Sequence, residues 1–168
     1  NDDSFVCLTQ EKSFEAKNKI IRFENLTGAS FDIQSGVNSS EAERIADIVK
    51  SIVIKRPNSS ISVLCSYSAQ CREIINKLNS KVISSPRFKA FLTSSRANEQ
   101  LFISSYKEAT PFKTDYVIFS SSITNFKKYD SPIDDDILVP TILSKASKGI
   151  IIVSSFSTSE FCSIFVCS

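Results

Sequence analysis

Short apolar runs rich in β-branched residues alternate with longer segments whose apolar positions fall every three or four residues, and this alternation constrains the fold more than any other feature of the chain. The clearest run is Ile61-Ser62-Val63-Leu64-Cys65. Its length and near-continuous apolar character suit a strand buried on both faces of a parallel sheet. Before it, Ser39-Ser40-Glu41-Ala42-Glu43 opens a helix with a capping box predicted from Ser40 to Glu43. The apolar face of that helix is Ala42, Ile45, Ala46, Val49, Ile52 and Val53, and Pro57-Asn58-Ser59 ends it. After it, Ser68 to Leu78 reads as a second helix with Ala69, Cys71, Ile74, Ile75 and Leu78 turned inward. Further strands are expected at Lys81 to Ser84, Ala90 to Thr93, Leu101 to Ser105, Tyr116 to Ser121 and Gly149 to Ser154. A third helix is expected from Asp134 to Ala146, with a long loop from Ser120 to Asp136 before it.

Interleaved strands and helices of these lengths imply βαβ units with right-handed crossovers, hence an α/β layered domain with a mainly parallel sheet flanked by helices. Residues 1–28 are polar and weakly patterned, alternating only near Phe5 to Leu8 and Ile20 to Phe23, and read as a lead-in with one or two short strands. Ala29 to Gln34 alternates like an edge strand. The layered domain is placed at 29–155, with 156–168 as its C-terminal extension.

A chain of 168 residues, 42% of them hydrophobic, can bury one proper core, so a single domain is expected. Its 20 Lys and Arg against 18 Asp and Glu leave a formal charge of +2, too little to imply a polyanionic partner from composition. Any nucleic-acid contact must come from a local patch. The 5 cysteines include no Cys-x-x-Cys pair, and with 0 histidines no zinc site is expected. Cys65, inside an apolar run, and Cys162 and Cys167, flanking Phe165 and Val166, read as small hydrophobes in a reduced, intracellular compartment, nucleus or cytoplasm. The Asn-x-Ser/Thr triplets at Asn25, Asn38 and Asn58 are read as chance in a Ser- and Asn-rich chain. No leader opens the sequence and no run approaches the ~20 apolar residues of a membrane span, so a soluble piece of a longer protein is expected.

Four segments, in order, carry a family resemblance. Phe31-Asp32-Ile33, then Asn38-Ser39-Ser40-Glu41-Ala42, resembles an entry strand and an Asn-x-x-Glu-Ala helix start. Val63-Leu64-Cys65-Ser66-Tyr67-Ser68-Ala69-Gln70 resembles Ile-Thr-Pro-Tyr-x-Ala-Gln, with Tyr67 and Gln70 matching. Leu101-Phe102-Ile103-Ser104-Ser105-Tyr106-Lys107-Glu108, then Asp115-Tyr116-Val117-Ile118, resembles Thr-Val-Asp-Ser-Phe-Gln-Gly-x-Glu followed by Asp-x-Val-Ile. Ile137 to Ala146, then Gly149 to Ser154, resembles Arg-Arg-Leu-Asn-Val-Ala-Leu-Thr-Arg-Ala-Lys and a Gly-Leu-Ile-Ile-Val-Gly strand. Together they are similar to the second RecA-like domain of superfamily 1 helicases of the nonsense-mediated-decay and senataxin type.

The resemblance implies a RecA-like fold and a place beside a first lobe that cradles ATP and Mg²⁺ on a Gly-rich loop. This chain has 3 glycines and no such loop, so no cofactor is expected in it, and ATP and Mg²⁺ enter only if a phosphate-loop lobe lies upstream. The resemblance places Lys145 where the family has its catalytic arginine; Lys keeps the charge and loses the bidentate fork, a loss that costs ~10³ to 10⁵ in rate. It implies nucleotide contacts at Tyr67, Gln70, Lys107 and Glu108, where Lys107-Glu108 replaces Gln-Gly and sets a carboxylate beside phosphates. It implies strand contacts at Cys65, Phe102 and Ser105, where Cys65 and Phe102 replace phosphate-binding threonines and donate no comparable hydrogen bond.

Phe126-Lys127-Lys128-Tyr129 and Arg87-Phe88-Lys89 offer rings beside cations that suit base stacking, set against the plainer reading of solvated cations with half-buried rings. Asp134-Asp135-Asp136, Glu41 and Glu43 read as helix-start carboxylates rather than as metal ligands or a catalytic pair. Ser66 and Ser68 have no histidine to activate them. The expected function is a degenerate helicase-like domain, not itself an ATPase, that serves as a nucleic-acid or protein interaction module in RNA or DNA metabolism. Its expected partners are a protein or an upstream RecA-like lobe, and single-stranded RNA or DNA, with no membrane. Two alternatives stand beside it: the C-terminal half of a working ATP-dependent helicase, and an unrelated α/β domain with similar strands.

Overall fold

The structure is a computed structural model, and the residues it describes are 20–26, 28–123 and 137–155. Five parallel strands form one sheet: β1 (Ile20–Asn25), β2 (Ile61–Cys65), β3 (Leu101–Ser105), β4 (Thr114–Ser120) and β5 (Ala146–Ser154), in the order β1-β5-β4-β2-β3. The helices are α1 (Ser39–Lys55), α2 (Ser68–Lys81), α3 (Pro86–Leu92), α4 (Ser95–Gln100) and α5 (Leu138–Lys145). This is the expected layered α/β class.

β2 is buried at all five positions because it lies between β4 and β3 and is covered on both faces. On one face Ile61, Val63 and Cys65 join Ile118 and Val153 under α1, α2 and α3. On the other, Leu64 joins Val117, Phe119, Ile150 and Ile152 under Leu138 and Ile142 of α5. The division follows from handedness: the chain leaves β2 toward one edge and β4 toward the other, so right-handed crossovers must lie on opposite faces. No helix among the described residues is long and apolar enough to cross a membrane.

Several sequence expectations change. Ala29–Gln34 is not a strand; a single antiparallel bridge joins Asp32 to Val37 around a turn. Asp32 accepts from the Gln34 N–H at 3.0 Å and the Ser35 hydroxyl at 2.7 Å, and Gly36 takes φ +70, so local side-chain bonding wins over alternation. Lys81–Ser84 continues α2 into a 3-10 turn, with Lys81 held by Glu43 and Asp47 of α1. Ala90–Thr93 belongs to α3 and its C-cap; Ser85 caps that helix and Pro86 begins it, the start signal the strand reading overlooked. Ile75 is exposed, not inward. The cap of α1 is Asn38, whose side-chain oxygen accepts from the Glu41 N–H at 3.1 Å, so the N-cap sits two residues earlier than Ser40, and the Asn38 N–H goes to Gln70 rather than completing a capping box. The third helix is described from Leu138 and ends at Lys145, where Ala146 already begins β5; Asp134, Asp135 and Asp136 and most of the expected long loop lie outside the described residues.

β1 falls within the segment read as lead-in, and it pairs with β5 from Ile20 opposite Gly149 to Asn25 opposite Ser154. Gly149 is required where it stands. A Cβ there would meet the Tyr116 ring of β4 at 3.1 Å and the Ile20 carbonyl of β1 at 3.4 Å. Gly149→Ala is expected to destabilise the fold by about 1–3 kcal/mol, the range for overpacking a closed site; a urea midpoint unchanged from wild type would show that the ring yields freely.

Candidate functional site

Open α/β sheets bind ligands outside the carboxyl ends of their strands, at the point where successive crossovers diverge. Here that point lies between β2 and β4, and Cys65 pairs with Ser120 at its floor. Two short segments leave it, Ser66–Tyr67 after β2 and Ser121–Ser122 after β4, and the first turn of α1 closes over them.

What fills this crevice is one buried carboxylate. Glu41 Oε2 accepts from the Ser120 hydroxyl at 2.7 Å and the Ser122 N–H at 2.8 Å. Oε1 accepts from Ser155 at 2.8 Å, Ser121 at 3.0 Å and the Asn38 amide at 3.4 Å. A second ring of bonds surrounds it: the Asn38 N–H donates to Gln70 Oε1 at 2.8 Å, while Gln70 Nε2 donates to the Asn38 carbonyl at 3.0 Å and to Ser120 Oγ at 3.1 Å. Asn38, Glu41, Gln70, Ser120, Ser121 and Ser122 are all 0% exposed.

Burial pushes the Glu41 carboxyl above its ordinary range, while hydrogen bonds from Ser120, Ser155, Ser122 and Ser121 pull the other way. Five donors and the positive end of α1 give the charge what water would otherwise supply. Ser122 sits at φ +65, a backbone cost of roughly 1–2 kcal/mol for a residue with a Cβ, and Glu41 holds its N–H in place. The Ser122 hydroxyl itself is buried with no partner. Sequence reading took Glu41 for a capping carboxylate, yet its backbone N–H is what the cap uses and its side chain ties α1 to β4 and β5.

The residues singled out by sequence divide between two ends of the sheet. Gln70 lies inside the network, its amide fully engaged. Tyr67, the N-cap of α2, stacks on Phe31 with ring centroids 5.7 Å apart. Cys65 is buried on the face of α1 to α3, and the Cys71 thiol, then burial, push its own thiol well above the ordinary range, so it is held as an inert thiol with no surface to offer a strand. Ser105 ends β3 opposite Cys65. Lys107 and Glu108 are exposed on the 3-10 turn Tyr106–Glu108 that follows, Lys107 5.7 Å from the Tyr106 ring. Phe102, on the edge strand, packs edge-on against Phe112 at 4.8 Å.

Lys145 stands apart. It ends α5, just before Ala146 at the amino end of β5, and seven residue steps along the strand lead from Ala146 to the Val153 that pairs with Ser120, about 23 Å. The Arg87-Phe88-Lys89 stacking surface is corrected: Phe88 is fully buried in the core under α3. Lys127 and Lys128, with the rest of Phe126–Tyr129, lie outside the described residues. Asn38, an acceptor of one Asn-x-Ser triplet, is buried. No group of three or more metal-ligating side chains occurs among the described residues.

Among solved structures, the C-terminal domain of a possible DNA helicase from Lactobacillus plantarum WCFS1 is similar over 73% of this chain and 72% of its own, at 17% identity and a TM-score of 0.49. The HK97 bacteriophage large terminase is similar over 79% of this chain, which spans 29% of the terminase, at 14% identity and a TM-score of 0.48. No family model and no curated protein matches the sequence.

Glu41→Ala is expected to cost about 3–5 kcal/mol, because several buried donors lose their acceptor at once. Glu41→Gln, which keeps the shape, should cost about 1–3 kcal/mol. Because the Glu41 pKa is raised on folding, the folded chain holds a proton that the unfolded chain has released above the model value of 4.5. The Glu41 contribution to stability is therefore full below that value and is lost as pH rises through the folded pKa. Denaturant midpoints across this window should fall with rising pH more steeply in wild type than in Glu41→Gln; parallel profiles would remove Glu41 as the titrating group.

Proposed function

We propose that this domain is a degenerate helicase-like lobe, without ATPase activity of its own, that serves as an interaction module in RNA or DNA metabolism. The helicase-like part rests on the four sequence segments and agrees with the all-parallel layered sheet. One observation carries the loss of catalysis: the crevice where such a sheet would take a ligand is occupied by the Glu41 carboxylate, Gln70 and three serines, all buried and bonded to one another. A triphosphate entering there would meet a buried carboxylate, and repulsion between anions in a site of low dielectric is severe.

The loop after β2 is equally unsuited to phosphate. Only Ser66 and Tyr67 separate β2 from α2, with no glycine to bring backbone N–H groups close to an anion. Lys145, the finger position by resemblance, lies at the other end of the sheet from Tyr67 and Gln70, so the motif residues converge on no single nucleotide pocket within this chain.

ATP hydrolysis by the intact protein, measured with single-stranded RNA and with single-stranded DNA, tests the reading. The expected outcome is no turnover above the protein-free rate and no difference between wild type and Lys145→Ala. Robust turnover that Lys145→Ala abolishes would establish the working-helicase alternative instead.

A further inference from the structure

We infer that the amino-terminal rim of the sheet is a docking surface for the phosphate backbone of a single-stranded nucleic acid; the inference deepens the interaction-module reading and rests on it. The rim gathers cations from four elements. Lys55 ends α1 and Arg56 is its C-cap, Arg96 lies in α4, Lys145 ends α5, and Lys148 lies near the start of β5. Contacts tie part of this surface together. Arg96 donates to the Pro57 carbonyl at 2.8 Å and to Asn58 Oδ1 at 2.9 Å, the Ser60 N–H donates to Asp115 Oδ2 at 3.1 Å, and Lys148 pairs with Asp115 Oδ1 at 3.0 Å. The Arg56 guanidinium lies over the Tyr116 ring at 5.2 Å.

Among the described residues most of the charge of this rim is uncompensated, Lys148 alone of these cations being paired with a carboxylate. Asp115 is already bonded by Lys148, Ser60 and Ser147, which leaves Glu99 as the remaining carboxylate on the adjoining elements. Lys55, Arg56, Arg96 and Lys145 form no ion pair with any acidic group among the described residues, and Arg96 spends its bonds on neutral oxygens. A chain of formal charge +2 thus concentrates positive charge on one edge, the local patch that composition alone could not reveal. Lys55 and Lys145 also complement the negative ends of α1 and α5 and Lys148 pairs with Asp115, but those accounts do not cover Arg56 and Arg96.

Shape selects a single strand over other polyanions. The cations follow the strand ends of β3, β2, β4 and β5, three steps of about 4.8 Å, so the row spans roughly 14 Å. A row of that length offers a track for a few consecutive phosphates. Arg56, 5.2 Å over the Tyr116 ring, sets a cation beside an aromatic ring, a pairing on which an unpaired base of any sequence can stack. Lys145 then contributes charge to a strand surface and not to phosphoryl transfer.

The test is fluorescence anisotropy of the intact protein with labelled oligo-dT and oligo-U of about 20 nucleotides, titrated with salt. Wild type is expected to bind both at low salt, and Lys55→Gln, Arg56→Gln and Lys145→Gln combined to weaken binding roughly 10- to 100-fold and lower the salt slope by about 2, at ~0.7 per lost contact on a single strand. Lys55→Arg, Arg56→Lys and Lys145→Arg combined, which keep the charge, should stay within about threefold, and Arg72→Gln with Arg44→Gln, at the other end of the sheet, within about twofold. Absence of wild-type binding, equal losses from the distant pair, an unchanged slope in the rim variant, or binding to phosphatidylserine vesicles in place of the oligonucleotides would each overturn it. Circular dichroism confirms that each variant folds; should the triple variant unfold, Lys55→Gln and Lys145→Gln singly must each lower the slope. ATP turnover lost in Lys145→Ala would overturn the catalytic reading alone, and rim-independent binding the rim alone.

Discussion

The carboxylate of Glu41 is the point on which the carboxyl end of this domain depends. It lies in the first turn of the longest described helix and gathers hydrogen bonds from residues that follow β4 and β5, so one side chain fixes where α1 starts and where two central strands end. Its own energetics are adverse, since burial raises its pKa; the donors around it make the arrangement tolerable rather than strongly favourable. A network of this kind is worth little when complete and costs much when broken, which makes it a device of specificity: α1 seats in one register, because a slip of one residue would bury the charge without its partners.

That constraint separates the two ends of the sheet. The carboxyl end, where an α/β sheet ordinarily opens a crevice, is dense with buried polar groups whose bonds run inward, the Ser122 hydroxyl excepted. The amino end is the reverse: its side chains are long, charged and exposed, and their bonds go to neutral oxygens or to a single shared aspartate. The strand surface proposed above therefore lies at the edge where side chains, and not backbone, would meet phosphate.

Periodicity made the core legible from sequence. The apolar face of α1 and the continuous runs of β2, β4 and β5 are carried by residues close together in the chain, and the packing confirms them. Where the reading failed, a stronger local signal competed: Asp32 and Gly36 fold a turn through an alternating stretch, and Ser85-Pro86 starts a helix through an aromatic one. The Glu41 site was illegible for another reason. Its partners Ser120 and Ser155 lie 79 and 114 residues away, and serines that end strands look in sequence like serines in any loop.

Lys145 shows where sequence resemblance and geometry part. Resemblance fixes a residue's ancestry by its neighbours in the chain, and those neighbours, α5 and the strand after it, are intact. Chemistry is fixed by neighbours in space, and Lys145 stands at the amino end of β5, away from Tyr67 and Gln70. A lysine at an arginine position loses bidentate geometry but keeps long-range attraction, and an electrostatic surface needs only the second. The substitution that is a defect for phosphoryl transfer is thus neutral for strand binding, which is how a lobe can shed the first function while its fold and positive rim persist.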